Sequence, residues 1–161
     1  MRVANVFSFG LPALFVAIGP NPALAAPKTC DLISAQTAAV VFAGPTGPGT
    51  EQVIATAGRQ CVFETDGGGE VALGLMDKAN MASLRAKPAD IPRMLNEPQP
   101  GQHTETIPSL GEWNTFIASP ADASLYVLQH GYLVTLSASG SKNPGLKAAL
   151  VQAAKQALGK L

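Results

Sequence analysis

Apolar positions along the chain change period several times, and each change marks an element. "AQTAAVVFA" follows Ser34, a side chain suited to cap a helix start, and Gly44-Pro45 stops it, so a helix is predicted over 35–43. After the loop "GPTGPGT", "QVIATA" and "QCVFET" are rich in β-branched residues and flank Gly58 and Arg59, which reads as two strands. "DGGG" at 66–69 is a turn, and "EVALGLM" alternates with Val71, Leu73 and Leu75 inward. "KANMASLRAK" predicts a short helix with Met81 and Leu84 on its core face.

The segment from Pro88 to Pro108, also holding Pro92, Pro98 and Pro100, reads as a long irregular loop of little buried surface. "WNTFIAS", "SLYVLQH" and "YLVTLSAS" are three more strands, with His130-Gly131 as the tight turn between the last two. Asn143 is read as the cap and Pro144 as the first position of a helix running to the C-terminus. Leu146, Ala149, Leu150, Ala153, Ala154, Ala157, Leu158 and Leu161 form its apolar stripe, opposite Lys147, Gln152, Lys155 and Gln156. Too few cations line that polar face for a membrane-surface helix, so the stripe is expected to pack on the chain's own sheet. Runs of adjacent strands imply antiparallel pairing. The predicted fold is α+β: an antiparallel sheet of about six strands with N- and C-terminal helices packed on it.

The N-terminus has a different pattern. Arg2 is the only charge before Lys28; an apolar run lies between them and ends in "PNPALA". This order is that of a secretory signal peptide cleaved after Ala25, leaving residues 26–161 as one domain. No other stretch is long and apolar enough to span a bilayer, so no stable membrane anchor is expected. Cys30 is preceded by Pro27-Lys28-Thr29, a poor match to the Leu-small-small triplet before a lipidated cysteine. Its one intramolecular partner is Cys61, and an even cysteine count in an exported chain reads as a disulfide. Lack of a C-x-x-C spacing disfavours a redox or metal pair. The expected location is periplasmic or secreted.

Charge narrows the partners. Eleven Lys and Arg balance 11 Asp and Glu, with no basic patch, which argues against nucleic acid. There is no nucleophile elbow, P-loop or H-E-x-x-H. "DGGGE" lacks the Lys-Ser/Thr and helix of a phosphate loop. His103, Glu105 and His130, with Met76, Met81 and Met94, could be assembled into a copper site, since thioether and imidazole suit copper, but their spacing matches no ligand pattern. No metal or cofactor is expected. The aromatic residues are the better lead. Trp113, Phe116, Tyr126 and Tyr132, with His130 nearby, lie on the last three strands and offer a surface for a protein segment or a small amphiphile. Trp113 and Phe116, three apart on a strand, must point to opposite faces.

"TCDLISAQTAAVVFAG", "RQCVFET", "IPSLGEWNTF", "LYVLQHGYLVTLS" and the Ala-rich terminal helix together resemble a group of small exported bacterial proteins and lipoproteins. These have a Cys-(Asp or Ser)-Leu-Leu start, a second Cys in a strand and a Pro-x-Leu-Gly-acid step. Cys30 and Cys61 match the pair, and Leu110, Gly111 and Glu112 match the step; the lipobox of many members is missing. The resemblance implies a PsbP/Mog1-like sandwich and mostly unknown function, with no catalytic residues to carry over. The expected function is a non-enzymatic binding or accessory protein of the cell envelope. The alternatives are an inhibitor or immunity-type protein that blocks a partner enzyme, or an enzyme without a recognisable motif.

Overall fold

A seven-stranded, wholly antiparallel sheet organises the chain in a computed structural model that describes residues 27–54, 58–83, 87–95 and 100–161. The proposed signal peptide and Leu84 lie outside the described residues. The strands are β1 (Thr50–Ile54), β2 (Gly58–Glu64), β3 (Glu70–Met76), β4 (His103–Glu105), β5 (Trp113–Ala118), β6 (Asp122–Gln129) and β7 (Tyr132–Ser139). Their order is β1-β2-β3-β7-β6-β5-β4, two meanders that meet where β3 pairs with β7. The helices are α1 (Ala35–Phe42), α2 (Lys78–Ser83), α3 (Ile91–Leu95) and α4 (Leu146–Leu158). The α+β class holds, with one strand more than expected. The addition, β4, comes from the segment read as an irregular loop. Its three residues pair with β5 through His103↔Ala118 and Glu105↔Phe116. That segment also contains a 3-10 turn (Pro88–Asp90) and α3, whose Ile91 is buried. Prolines punctuate these short elements but do not prevent them.

Strand alternation sorts the sheet into two faces. One carries Val71, Leu73 and Leu75 of β3, Val134 and Leu136 of β7, and Leu125 and Val127 of β6, all buried. On it lies α4, against β6 and β7 and beside α1. Its stripe is as expected: Leu150, Ala153, Ala154 and Ala157 are fully buried, and Lys147, Gln152 and Lys155 are exposed. The three fully buried alanines let the helix axis approach the sheet closely. Gln156 is half-buried and accepts a 2.8 Å bond from the Thr37 hydroxyl, tying α4 to α1.

Both helix ends differ in detail from the sequence reading. Ser34 does cap α1, its hydroxyl accepting from the Thr37 N–H at 3.1 Å. The left-handed residue at the other end is Ala43 (φ 62°), not Gly44, whose N–H closes on the Ala39 carbonyl. The last carbonyls of α1 are held by a distant segment. Asn143 Nδ2 donates to the Val40 and Val41 carbonyls at 2.9 and 3.1 Å, and the Ser141 hydroxyl donates to the Phe42 carbonyl at 3.2 Å. Asn143 therefore caps the end of α1, and its own Oδ1 accepts from the Gly145 N–H at 2.8 Å. Pro144 and Gly145 form a turn, so α4 starts at Leu146, and it ends at Leu158 instead of at the C-terminus. At the β6–β7 hairpin tip His130 (φ 50°) and Gly131 (φ 80°) both adopt positive φ, as a two-residue type I′ connection requires.

Cys30 and Cys61 form a disulfide with 5.0 Å between their α-carbons. It pins the N-terminal segment, which includes a 3-10 turn (Thr29–Asp31) and the buried Leu32 and Ile33, across β2. Gly49 passes so close that a Cβ there would stand 2.5 Å from Cys61 Sγ.

Candidate functional site

The second face of the sheet is only partly covered. Met81 of α2 and Ile91 of α3 pack with Leu133 into a small apolar cluster, joined by half-buried Met76, Leu95, Trp113 and Tyr126. This cluster occupies the cross-strand row Met76↔Leu133↔Leu128↔Trp113. Beside it, over β2, β3 and β7, lies an open trough of about 190 Å³. Its floor follows from the register: Gln60↔Gly74↔Thr135 is one row, and Ala72↔Ser137 begins the next. Met76, Leu133 and Ile54 supply apolar walls. The same face continues across β6 and β5 to a second hollow of about 150 Å³ at Ile117, Ser124 and Tyr126. At the far end of this face the register places Glu64 opposite Glu70, then Ser139 and Asp122, a row whose acidic members are all exposed.

Gly74 is the informative residue of the trough. It sits in the interior of a seven-residue strand, where glycine costs roughly 0.5–1 kcal/mol relative to alanine. Its φ is not positive, and a Cβ there would meet nothing closer than 3.6 Å, at Thr135 Cβ. Neither backbone geometry nor packing demands glycine here. Lack of a side chain there leaves the floor of the trough open.

The aromatic residues do not line one groove. Trp113 and Phe116 do point to opposite faces. Phe116 is buried in the main core and Tyr132 packs against it, so both belong to the α1–α4 face. Trp113 and Tyr126 share the outer face, and Tyr126 borders the second hollow. His130 is exposed at the hairpin tip beside Lys78 and Glu112. Of the side chains considered as copper ligands, His103 and Glu105 come within 3.9 Å of each other on β4, and the other described ones are dispersed. Met81 is buried under α2, Met76 is in the same cluster, His130 is at a hairpin tip and His103 is on the edge strand β4. The Met94 side chain lies outside the described residues. Among the described residues no group of three or more His, Cys, Asp or Glu side chains is placed to hold a metal ion.

Leu110-Gly111-Glu112, which resembled a family step, has a structural task. Leu110 is buried. Gly111 has φ 68° and lies so close to β6 that a Cβ would stand 2.5 Å from Val127 Cγ1. The Glu112 carboxylate accepts the His130 backbone N–H at 2.8 Å. The segment is anchored by Asn114, a residue the sequence reading passed over. Buried on β5, its Oδ1 accepts from the Ile107 N–H at 2.7 Å, and its Nδ2 donates to the carbonyls of Ile107 and Leu110 at 2.9 and 2.6 Å. Replacing Asn114 by alanine orphans one part-buried donor, the Ile107 N–H, and withdraws a partner from two carbonyls. The expected loss is about 2–4 kcal/mol, at roughly 1–3 kcal/mol per unsatisfied buried group with partial rescue by solvent. Urea unfolding of N114A against wild type checks it, and a loss below about 1 kcal/mol would show that the loop does not depend on this residue.

Among the described residues no helix is long and apolar enough to cross a membrane. No protein-family model matches the sequence, and none of the curated proteins matches it.

Proposed function

We propose that this chain is an exported binding or accessory protein of the bacterial cell envelope, built as a PsbP/Mog1-like sandwich and acting without catalysis through the open trough of its sheet. The single observation that carries the reading is Gly74, a glycine that lines the trough although neither its φ nor its packing demands one. The groups around it are small, hydroxyl-bearing or apolar: Ala72, Thr135, Ser137, Met76 and Leu133. They suit shape recognition more than proton or group transfer. Size favours a protein segment over a small amphiphile. At about 190 Å³ the trough falls below the roughly 300–1,000 Å³ typical of small-molecule pockets, yet it admits an apolar side chain presented by a partner. Export is supported by the Cys30–Cys61 bond, since such bonds persist in oxidising compartments.

Gly74→Val tests the reading. A β-branched side chain suits the strand and fills the trough, so thermal stability should hold or rise while capture of a partner from periplasmic extract is lost. Unchanged capture by a folded G74V protein would remove the trough from the function. Capture of one stoichiometric enzyme, together with loss of that enzyme's activity, would identify the inhibitor-type alternative.

A further inference from the structure

The β2–β3 hairpin turns through Thr65-Asp66-Gly67-Gly68-Gly69, and Asp66 is the only Asp or Asn of the chain followed by glycine. Asp66, Gly67 and Gly68 are all exposed. A Cβ built on Gly67 or Gly68 would meet nothing within 4 Å, so no neighbour crowds the tip. Among the described residues neither the Asp66 carboxylate nor the Gly67 N–H has a hydrogen-bond or ion-pair partner. The tip itself is held by a bond from the Gly68 N–H to the Thr65 carbonyl at 3.1 Å. The other aspartates are placed differently. Leu32, Ile91 and Ala123, which follow Asp31, Asp90 and Asp122, are buried. Asp77 Oδ1 accepts the Asn80 N–H at 2.8 Å, just before α2.

We propose that Asp66 is a site of spontaneous modification, converting to isoaspartate through a cyclic imide formed with Gly67. The Gly67 nitrogen bonds to Asp66 Cγ and gives up its proton, and the hydroxyl of the protonated carboxyl group leaves as water. Water then opens the five-membered ring at either carbonyl. Opening at Cγ restores aspartate. Opening at the Asp66 main-chain carbonyl breaks the original C–N bond and leaves the chain running through Cβ and Cγ, with a free carboxylate on Cα. No oxidant or other reactant is needed, and the mass is unchanged. Glycine at 67 favours the attack twice over: it puts no Cβ beside the nitrogen, and it lets the backbone rotate into the reactive geometry. The fold opposes it mainly through the Gly68–Thr65 bond, which must open, so folding should slow the reaction by no more than about tenfold. The turn can also accept the product. Its ends are clasped independently, by the Thr65 N–H and hydroxyl donating to the Gly69 carbonyl at 2.9 Å each and by the Gly69 N–H donating to the Thr65 hydroxyl at 3.0 Å. The longer chain bulges into solvent, the domain stays folded, and the modified form accumulates as the protein ages.

Prolonged incubation of the purified protein at neutral pH, folded and in guanidinium chloride, tests this. Trypsin cuts after Arg59 and Lys78, so the peptide of residues 60–78 carries both Asp66 and Asp77. Electron-transfer fragmentation distinguishes isoaspartate from aspartate at each. In the folded protein isoaspartate should form at Asp66 and not at Asp77, at a rate within about tenfold of that in denaturant. Gly67→Ala, which has room for its Cβ, should slow it several-fold. Asp66→Asn should pass through the same imide, releasing ammonia and yielding the acid and its isomer at position 66. Aspartate alone at 66 in the folded protein, equal conversion at Asp77, or slowing by the fold far beyond tenfold would each overturn the proposal.

Discussion

Truncation of Leu150 to alanine is expected to destabilise the domain by about 2–5 kcal/mol, the range for removing a buried leucine and leaving a partly collapsed cavity. Leu150 is fully buried where α4 meets the sheet, with Ala153, Ala154 and Ala157 completing the contact. On the C-terminal side of Leu150 the buried stripe consists of alanines, which have no long side chain to swing into the space, so relaxation is limited. Set against a typical total of about 5–15 kcal/mol, such a loss brings the domain close to unfolding at growth temperature. Lys155→Ala, on the exposed side of the same helix, should change stability by no more than about 0.5 kcal/mol. Urea titration of both variants is the measurement, and the midpoints should separate while the m-value stays constant. Equal midpoints would mean that α4 contributes little to holding the sheet.

What the sequence made legible was the long and periodic part of the fold. β3 and β7 coincide with their predicted spans because seven or eight alternating residues leave no second register. The stripe of α4 was equally plain, since thirteen residues at helical spacing outweigh local ambiguity. The misses share a cause: each depended on a partner remote in sequence. Asn143 is a good helix cap by type, and only the approach of α1 directs its amide to the Val40 and Val41 carbonyls. β4 is too short to show a period and exists because β5 offers it an edge. Ile91 becomes buried because α3 folds back over Leu133. Loss of the whole Pro88–Pro108 segment should therefore harm the fold, contrary to its loop-like composition.

The candidate site was less legible than the fold. Large aromatic residues attracted notice, yet the sheet divides them between its faces. A signal was present in β7, where Thr135, Ser137 and Ser139 alternate with Val134, Leu136 and Ala138. That alternation marks a strand with one face outside the core. Gly74 stands opposite Thr135, and this relation appears only once β3 and β7 are paired. A trough made by the lack of a side chain has no residue type to announce it.

The second large effect concerns the N-terminal segment. Replacing both Cys30 and Cys61 by alanine is expected to cost roughly 3–4 kcal/mol, the chain-entropy value for a loop of this length. The two residues are 31 positions apart, and the loop they close contains α1, β1 and the start of β2. Most of the loss should arise in the unfolded chain, which becomes free to expand. Leu32 and Ile33 are buried, so their packing should keep the segment docked in the folded variant. Two signatures follow. The urea midpoint should fall and the m-value should rise, because the uncrosslinked chain exposes more surface on unfolding. Double replacement is the sound comparison, since a lone serine at Cys61 would put a hydroxyl in the core. Mass spectrometry of the native protein adds the test of export. A chain starting at Ala26, about 2 Da lighter than its reduced form and without an acyl group, is expected in the periplasmic or secreted fraction. A diacylglyceryl group on Cys30 would overturn both the cleavage site and the disulfide, because an acylated sulfur cannot bond to Cys61. A constant m-value with a lowered midpoint would place the loss in the folded state, in the contact between the N-terminal segment and β2.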